Sequence, residues 1–153
     1  MKVKILPSKT SGEVSAPPSK SFAHRYLIGS VLSRGKCVIK NIADSDDISA
    51  TLSCIEQLGG SVTKDGNTVT VIPTNEKQIE NTVFDCKESG STLRFFIPVV
   101  LATGAKNCTF SGSERLLARG IKEYEKLFEN SDVKIKSDEK SIEVNGKLTA
   151  GNY

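Results

Sequence analysis

The sequence of 153 residues contains no tryptophan, one histidine, one methionine and only 6% aromatic residues. With a net charge of +3 and no basic run, it lacks the charge pattern of nucleic-acid-binding proteins, and it has few rings on which bases stack. No apolar stretch reaches the ~18 residues of a membrane span. Met1–Pro7 is too short for the apolar part of a signal peptide. We therefore expect a cytoplasmic protein that binds neither nucleic acid nor membranes.

Signals for metal or disulfide chemistry are also scarce. The four cysteines are far apart with no CxxC pair, so four buried thiols are a better interpretation than disulfides or a zinc site. His24 has no partners for a catalytic triad or a metal cluster, which favours a structural or ligand-lining role. Asp44, Asp46 and Asp47 resemble a metal cluster, but they precede Ile48 where a helix start favours caps and negative charge.

A hydroxyl-rich helix start that leads into an apolar stretch occurs twice. The first copy is Pro17–Arg25 and the second is Glu88–Arg94, and their arginines, Arg25 and Arg94, stand 69 residues apart. Free N–H groups and the positive end of the dipole attract an anion to a helix start, and a nearby lysine or arginine adds a full positive charge. The repetition predicts a protein that binds acidic molecules.

The elements around these starts also repeat, each time in the order strand, helix, strand, helix, hairpin. We predict an α/β (α+β) fold of two βαβαββ units, because five matching elements in one order indicate a structural repeat. In the first unit the expected elements are a strand at Glu13–Ala16, a largely buried helix from Ser19 to Ser33, a strand at Cys37–Ile39, a helix after Asp47 and a hairpin over Val62–Ile72. In the second they are a strand at Val83–Phe84, a helix over Ser91–Thr103, a strand at Cys108–Phe110, helical spacing over Leu117–Phe128 and a hairpin around Ser137–Lys140.

The boundaries follow from this order. Residues 1–12 form an opening segment, 13–75 the first unit, 76–147 the second and 148–153 the start of a further segment. Repeats of this kind bury their faces against neighbours and commonly need three or more copies. The chain is therefore expected to be a piece truncated before a third unit.

Lys20, Ser21 and Arg25 form the sharpest candidate site. Ser21 and Arg25 are four residues apart on one helical face, and Lys20 is in the first turn near the free N–H groups. A phosphate or carboxylate fits that arrangement. A capped helix with surface ion pairs is the alternative that spacing alone leaves open.

The second helix start and the loop after it carry further candidates. Gly90 allows a ligand to approach the backbone, although an ordinary turn glycine has the same signature. Arg94 is either a ligand contact or a buried, paired structural arginine. Ser111–Gly120 is a glycine-bearing loop with Arg115 and Arg119, and it either covers a bound anion or is an exposed helix start.

Together these segments resemble the N-terminal part of the EPSP synthases (3-phosphoshikimate 1-carboxyvinyltransferases), which belong to the enolpyruvyl transferase family. The resemblance extends from about Lys2 to Tyr153. The segments that carry it are Pro18–Arg25, Asn41–Asp47, Glu88–Arg94 and the arginine loop that ends at Arg119. The family usually has proline after that arginine, whereas this sequence has Gly120.

The resemblance implies transfer of the enolpyruvyl group of phosphoenolpyruvate to the 5-hydroxyl of shikimate 3-phosphate, without metal or organic cofactor. It implies that Lys20, Ser21 and Arg25 contact shikimate 3-phosphate, and that Lys20, Gly90 and Arg119 contact phosphoenolpyruvate. The acid–base groups would lie in the missing C-terminal part, so no catalytic residue is expected in this chain and it should be inactive alone. The opening segment would cross to the other domain, which would leave Val3–Ile5 without sheet partners.

Two alternatives remain open from the sequence. The sister enzyme that acts on UDP-N-acetylglucosamine has Lys-Asn where Lys20 and Ser21 stand and a reactive cysteine in the arginine loop, which Ser111–Ala118 lacks. A non-catalytic anion-binding module built from the same repeats is the other alternative. Such a module would not prefer shikimate 3-phosphate over simple phosphate.

Overall fold

The computed structural model describes residues 2–4, 6–73 and 79–151. Its helices are α1 Lys20–Val31, α2 Asp46–Gln57, α3 Gly90–Thr103, α4 Glu114–Leu117 and α5 Lys122–Leu127. Its strands are β1 Cys37–Ile39, β2 Ser61–Asp65, β3 Thr68–Ile72, β4 Ile79–Glu80, β5 Val83–Asp85, β6 Ala105–Ser111, β7 Lys134–Ser137 and β8 Ile142–Gly146.

The strands form two sheets, one in each unit. The first is antiparallel with the order β1-β3-β2. In the second, β6, β8 and β7 are antiparallel neighbours, and β4 and β5 both pair with β6 in parallel. Both predicted hairpins are confirmed: β2 and β3 join through Gly66-Asn67, and β7 and β8 flank 138–141. Gly66 has φ +55°, as a tight two-residue turn requires.

The helices α1, α2 and α3 pack against one another and join the two units in one apolar core. Among its largest fully buried side chains are Phe84, Phe96, Phe110, Leu27, Ile55 and Leu93. Each helix begins at a serine whose hydroxyl accepts a hydrogen bond from the backbone three residues on: Ser19, Ser45 and Ser89. Those caps satisfy backbone donors that would otherwise lack an intrahelical partner.

The strand predicted over Glu13–Ala16 is wrong. Residues 13–16 are exposed and contain no strand, and Val14 is 95% exposed. In the second unit the corresponding strand, β5, is fixed to β6 by the buried side chain of Phe84. The first unit has no comparable apolar anchor before Pro17, so an isolated extended segment gains nothing from pairing there.

The prediction that α1 is largely buried holds for one face only. Ala23, Leu27, Ile28 and Val31 are in the core, whereas Phe22 and Tyr26 are 62% and 61% exposed. Three cysteines are buried, as expected, but Cys37 is half-buried, and all four are free thiols.

The second unit departs from regular repetition in two ways. The helical stretch predicted over Leu117–Phe128 is interrupted between α4 and α5, where Gly120 has φ +64°. The caps Ser19 and Ser89 are 70 residues apart, one more than the spacing of Arg25 and Arg94. The two arginines therefore occupy different positions on α1 and α3 and point in different directions.

Several boundary predictions fall partly outside the described residues. The limit between the two units, 75/76, lies within 74–78, and the segment 148–153 is described only to residue 151. Ile5 is likewise outside the described residues, while residues 2–4 and 6–12 contain no strand. That the opening segment belongs to another domain remains a prediction.

Candidate functional site: an arginine-lined groove at three helix starts

A groove of about 590 Å³ lies where α1, α2 and α3 begin, next to α4. Its lining residues are Lys20, Asp47, Glu88, Gly90, Ser91, Arg94, Phe95, Arg115 and Arg119. Lys20 and Gly90 are the first residues of α1 and α3, and Asp47 is in the first turn of α2. The packing of the three helices thus brings together side chains that are far apart in the sequence.

Two arginines converge on Gly90. A Cβ placed on Gly90 would lie 3.1 Å from Nη1 of Arg94 and 3.4 Å from Nη1 of Arg119. The absence of a side chain at this residue therefore leaves room for both guanidinium groups beside the first turn of α3. The free N–H groups of that turn and the helix dipole add further positive potential at the same point.

The arginines of the groove lack acidic partners within the described chain. The salt bridges found in residues 2–4, 6–73 and 79–151 are Lys20–Asp47, Lys64–Asp44 and Lys106–Glu80, and none includes Arg94, Arg115 or Arg119. Arg94 is half-buried and donates from Nη2 to the backbone oxygen of Gly120 at 3.4 Å. Glu88 also lines the groove, but no carboxylate of the described residues lies within ion-pairing distance of these arginines. Converging cations that are not paired in this way favour an anionic ligand.

Lys20 is held at the groove by Asp47, to which its ammonium group donates a hydrogen bond. This bond is the main reason why the pKa of Asp47 lies below its usual range, and the nearby hydroxyl of Ser89 lowers it further. Asp47 is therefore a carboxylate at neutral pH and restrains Lys20. Asp44, by contrast, pairs with Lys64 away from the groove, and the hydroxyl of Ser45 caps the helix.

Ser21 and Arg25 lie beside the groove and do not line it. Both are exposed, and Nη1 of Arg25 donates to the backbone oxygen of Ser21 at 2.9 Å. The guanidinium carbon of Arg25 lies 5.2 Å from the centre of the Phe95 ring, which lines the groove. Lys20, Gly90 and Arg119 are thus together, while Arg25 is connected to them through Phe95.

The segment that carries Arg119 depends on the backbone of its neighbour. Gly120 adopts φ +64°, and its carbonyl accepts the hydrogen bond from Arg94. A proline there could not adopt a positive φ, because its ring holds φ near −65°. Gly120 therefore permits the backbone conformation in which its carbonyl oxygen accepts the hydrogen bond from Arg94.

A buried polar cluster lies beneath the groove. Nδ1 of His24 is 2.8 Å from Oγ1 of Thr51, which is 2.8 Å from Oγ1 of Thr92. Thr92 in turn donates to Oγ of Ser89 at 2.7 Å. All four side chains are buried, and Ser89 is adjacent to Asp47. The sole histidine therefore has a structural environment, one of the two roles that the sequence favoured.

Stability should fall in mild acid because of His24. Burial lowers the pKa of His24 below 6.5; Asp47 opposes this shift, and Lys20 and Arg25 add to it. Below pH 6.5 the unfolded chain binds more protons than the folded chain, so the free energy of unfolding decreases by at most ~1.4 kcal/mol per pH unit. The decrease begins below pH 6.5 and ends once the lowered pKa is passed, whereas the contribution of Asp47 is lost only below about pH 3.8. Urea unfolding at a series of pH values between 7.5 and 5 measures this decrease in the free energy of unfolding.

His24→Asn is the matched variant, since it retains a polar side chain that does not titrate. Its unfolding free energy should change little over the same pH interval. An equal slope in both proteins would exclude His24 as the cause.

Three residues of the groove are not identified by sequence patterns alone. Asp47 fits a helix cap, Arg94 fits a ligand contact or a structural arginine equally well, and no pattern singles out Phe95. The signal for Asp47 would have been a carboxylate in the first turn with its cap already provided by Ser45. The position of Phe95 under Arg25 has no local signal, because it depends on how α1 packs against α3.

Comparison with known proteins identifies relatives of this chain. The sequence profile described as EPSP synthase (3-phosphoshikimate 1-carboxyvinyltransferase) matches residues 6–152. The chain is 39% identical to the 3-phosphoshikimate 1-carboxyvinyltransferase of Clostridium novyi (strain NT), with 99% of this chain and 37% of that protein covered. It is also 39% identical to that of Clostridium perfringens (strain SM101 / Type A), with 99% and 36% covered. The chain thus spans little more than a third of the length of these relatives.

The fold has a solved counterpart as well. An EPSP synthase structure from Acinetobacter baumannii superimposes with a TM-score of 0.71 at 18% identity, and the match covers 88% of this chain and 32% of that one. None of the helices in residues 2–4, 6–73 and 79–151 has the length and apolarity needed to cross a membrane. The match over residues 6–152, nearly the entire chain, shows that this chain belongs to the EPSP synthase family.

Proposed function

We propose that this chain is the N-terminal part of an enzyme that transfers the enolpyruvyl group of phosphoenolpyruvate to the 5-hydroxyl of shikimate 3-phosphate, with release of inorganic phosphate. Its own contribution is to hold the anionic groups of the two substrates. The observation that carries the proposal is the convergence of Arg94 and Arg119 on Gly90 without a carboxylate partner among the described residues.

The proposed roles are those that the resemblance to the EPSP synthases implies. Lys20, Ser21 and Arg25 bind shikimate 3-phosphate, and Lys20, Gly90 and Arg119 bind phosphoenolpyruvate. Lys20 is suited to both roles, because it is in the groove and on the same helix as the other two residues of the first set. No metal or organic cofactor takes part.

The chemistry explains why so many cations are needed. Two polyanions have to lie side by side, and their mutual repulsion opposes the approach of the 5-hydroxyl to the enolpyruvyl carbon. Fixed lysine and arginine side chains offset that repulsion and hold the reacting groups close. Proton transfer requires separate acid and base groups, which we assign to the part of the enzyme beyond this chain.

The remainder of the same enzyme is the proposed macromolecular partner, and the cytoplasm is the proposed location. Support for a partner comes from the outer face of α1, where the exposed rings of Phe22 and Tyr26 stack with their centres 6.1 Å apart. The composition supports neither nucleic acid nor a membrane as a further partner.

Phosphate is expected to bind this chain in the groove at millimolar concentration, which corresponds to about 4 kcal/mol. The affinity is low because the groove is open and its cations are screened by solvent and salt. Titration with phosphate, and separately with shikimate 3-phosphate, should shift the amide signals of Ser19–Phe22 and of Gly90–Ser91 in NMR spectra. Arg94→Met or Arg119→Met should weaken phosphate binding about tenfold, as the loss of a charge-assisted hydrogen bond does.

Arg34→Met is the matched control, because it removes the same charge from an exposed residue outside the groove. It should leave the affinity within a factor of two of the wild type, by screening. Lys20→Ala and Arg25→Ala should reduce the response to shikimate 3-phosphate. Equal affinities in all the variants would show that the groove is not the binding site, and equal affinity for phosphate and shikimate 3-phosphate would favour a generic anion-binding module.

A further inference from the structure

The hydrogen bonds of the buried polar cluster beneath the groove have a defined donor-to-acceptor direction. A serine or threonine hydroxyl has one proton to donate. The geometry of the shortest contact has Thr92 as the donor and Ser89 as the acceptor, at 2.7 Å. With its proton used there, Thr92 can only accept in its 2.8 Å contact with Thr51, so Thr51 donates. Thr51 has then used its own proton.

The same count identifies the protonated nitrogen of His24. Because Thr51 donates to Thr92, the 2.8 Å contact between Nδ1 of His24 and Oγ1 of Thr51 requires a proton on Nδ1. The contacts of both threonines with the backbone oxygen of Asp47, at 3.1 and 3.3 Å, are longer and are therefore the weaker hydrogen bonds of the cluster. Nε2 is buried and has no hydrogen-bond partner among the described residues, which fits a neutral ring without a proton on that atom.

The far end of the row is the carboxylate that restrains Lys20. The row contacts Asp47 directly, since Oγ1 of Thr51 and Oγ1 of Thr92 lie 3.1 and 3.3 Å from its backbone oxygen. Ser89 accepts from the hydroxyl and from the backbone N–H of Thr92, which leaves its own proton available to the Asp47 carboxylate, whose pKa it lowers. The row crosses from α1 through α2 to α3, and it thereby fixes the three helix starts that form the groove. A buried row with matched donors and acceptors is stiff, because reversing one bond leaves an unpaired group elsewhere.

We propose that His24 is a positioning residue for the anion site: as the neutral Nδ1–H tautomer it heads a row of hydrogen bonds through Thr51, Thr92 and Ser89 that orients Asp47 and thereby Lys20. This inference rests on the proposed function only in taking the groove as the anion site. Burial lowers the pKa of the imidazole, which keeps it neutral at physiological pH. The groups that face it are Lys20 and Arg25 on its own helix α1, Asp47 and Thr51 of α2, and the ring of Phe95 of α3.

The test uses the histidine signals of residues 1–153, which are unambiguous because the chain has one histidine. Long-range proton–nitrogen correlation NMR at pH 7.5 should show a protonated Nδ1 and an unprotonated Nε2. Thr92→Val keeps the shape of the buried side chain and removes its hydroxyl. The nearest remaining acceptor for the proton of Thr51 is then Nδ1 of His24 at 2.8 Å, ahead of the backbone oxygen of Asp47 at 3.1 Å. The histidine should then shift toward the Nε2–H tautomer.

Thr103→Val is the control, since Thr103 is on the same helix and its hydroxyl donates to the backbone oxygen of Val100, away from the row. It should leave the tautomer unchanged. A wild-type Nε2–H tautomer, or a tautomer that Thr92→Val does not alter, would overturn the proposal.

The link to the groove is tested with two substitutions of His24. His24→Asn retains an N–H donor near the position of Nδ1, whereas His24→Leu has none. In His24→Leu the pKa of Asp47 should rise and the phosphate dissociation constant should increase about two- to fourfold, in line with a weakened hydrogen bond; His24→Asn should restore both. Should His24→Leu fail to fold, Thr92→Val provides the same two measurements. Wild-type affinity and Asp47 pKa in variants that have lost the row would contradict the positioning role. An Nδ1–H tautomer that responds to Thr92→Val in a protein that binds no phosphate would support the row and refute the proposed function.

Discussion

Purified residues 1–153 are expected to show no turnover of phosphoenolpyruvate and shikimate 3-phosphate, although they bind anions. The groove is open to solvent, and the chain spans little more than a third of the length of its relatives. Positioned acid and base groups contribute roughly 10²–10⁴ in rate, and correct orientation in an enclosed site contributes more. Without either, the reaction should stay below detection.

The measurement is release of inorganic phosphate over several hours at saturating concentrations of both substrates. The full-length relative from Clostridium novyi, assayed in the same buffer, is the positive control. Phosphate release that requires both substrates and disappears in Arg119→Met would contradict the expectation. The same protein sample must bind phosphate by NMR, so that a misfolded preparation is not mistaken for an inactive one.

Gly112→Ala should be among the most damaging small substitutions in the chain. A Cβ at this residue would lie 2.7 Å from the backbone oxygen of Lys87 and 2.7 Å from Cδ2 of Leu116. The oxygen of Lys87 cannot withdraw easily, because it accepts a hydrogen bond from Ser113 at 2.7 Å. We expect a loss of about 2–3 kcal/mol in the free energy of unfolding, as for severe overpacking.

This substitution should also affect the site. Ser113 caps α4, and Arg115 and Arg119 follow from it, so a displaced α4 moves one guanidinium group away from Gly90. Urea unfolding and phosphate titration measure the two effects, and phosphate affinity should fall about tenfold, as it does when a charge-assisted contact is lost.

Gly29→Ala makes the same chemical change where it should do no harm. Gly29 is exposed within α1, and a Cβ there would meet nothing within 4 Å. Alanine favours the helix, so this variant should gain about 0.5–1 kcal/mol. Similar stabilities for Gly112→Ala and Gly29→Ala would contradict the expected steric clash at residue 112.

The local elements were largely predictable, because their signals lie within a few residues. The caps Ser19 and Ser89, the glycine turn at Gly66 and the alternation along both hairpins have short-range causes. The strand predicted over Glu13–Ala16 failed for the opposite reason. A strand exists only when another strand pairs with it, and nothing in those four residues tells whether a partner is available.

The same distinction between local signals and tertiary packing applies to the candidate site. The sequence by itself indicated the order of most elements and the family, because motif order and helix-start chemistry depend on consecutive residues. Only the tertiary structure decided that Lys20, Gly90, Arg94 and Arg119 share one groove, that Arg25 lies against Phe95 outside it, and that His24 is connected to Asp47. These relations depend on the packing of α1, α2 and α3. The contact between Arg25 and Phe95, for example, joins residues 70 positions apart. Spacing along one helix carries no information about which side chain another helix brings against it.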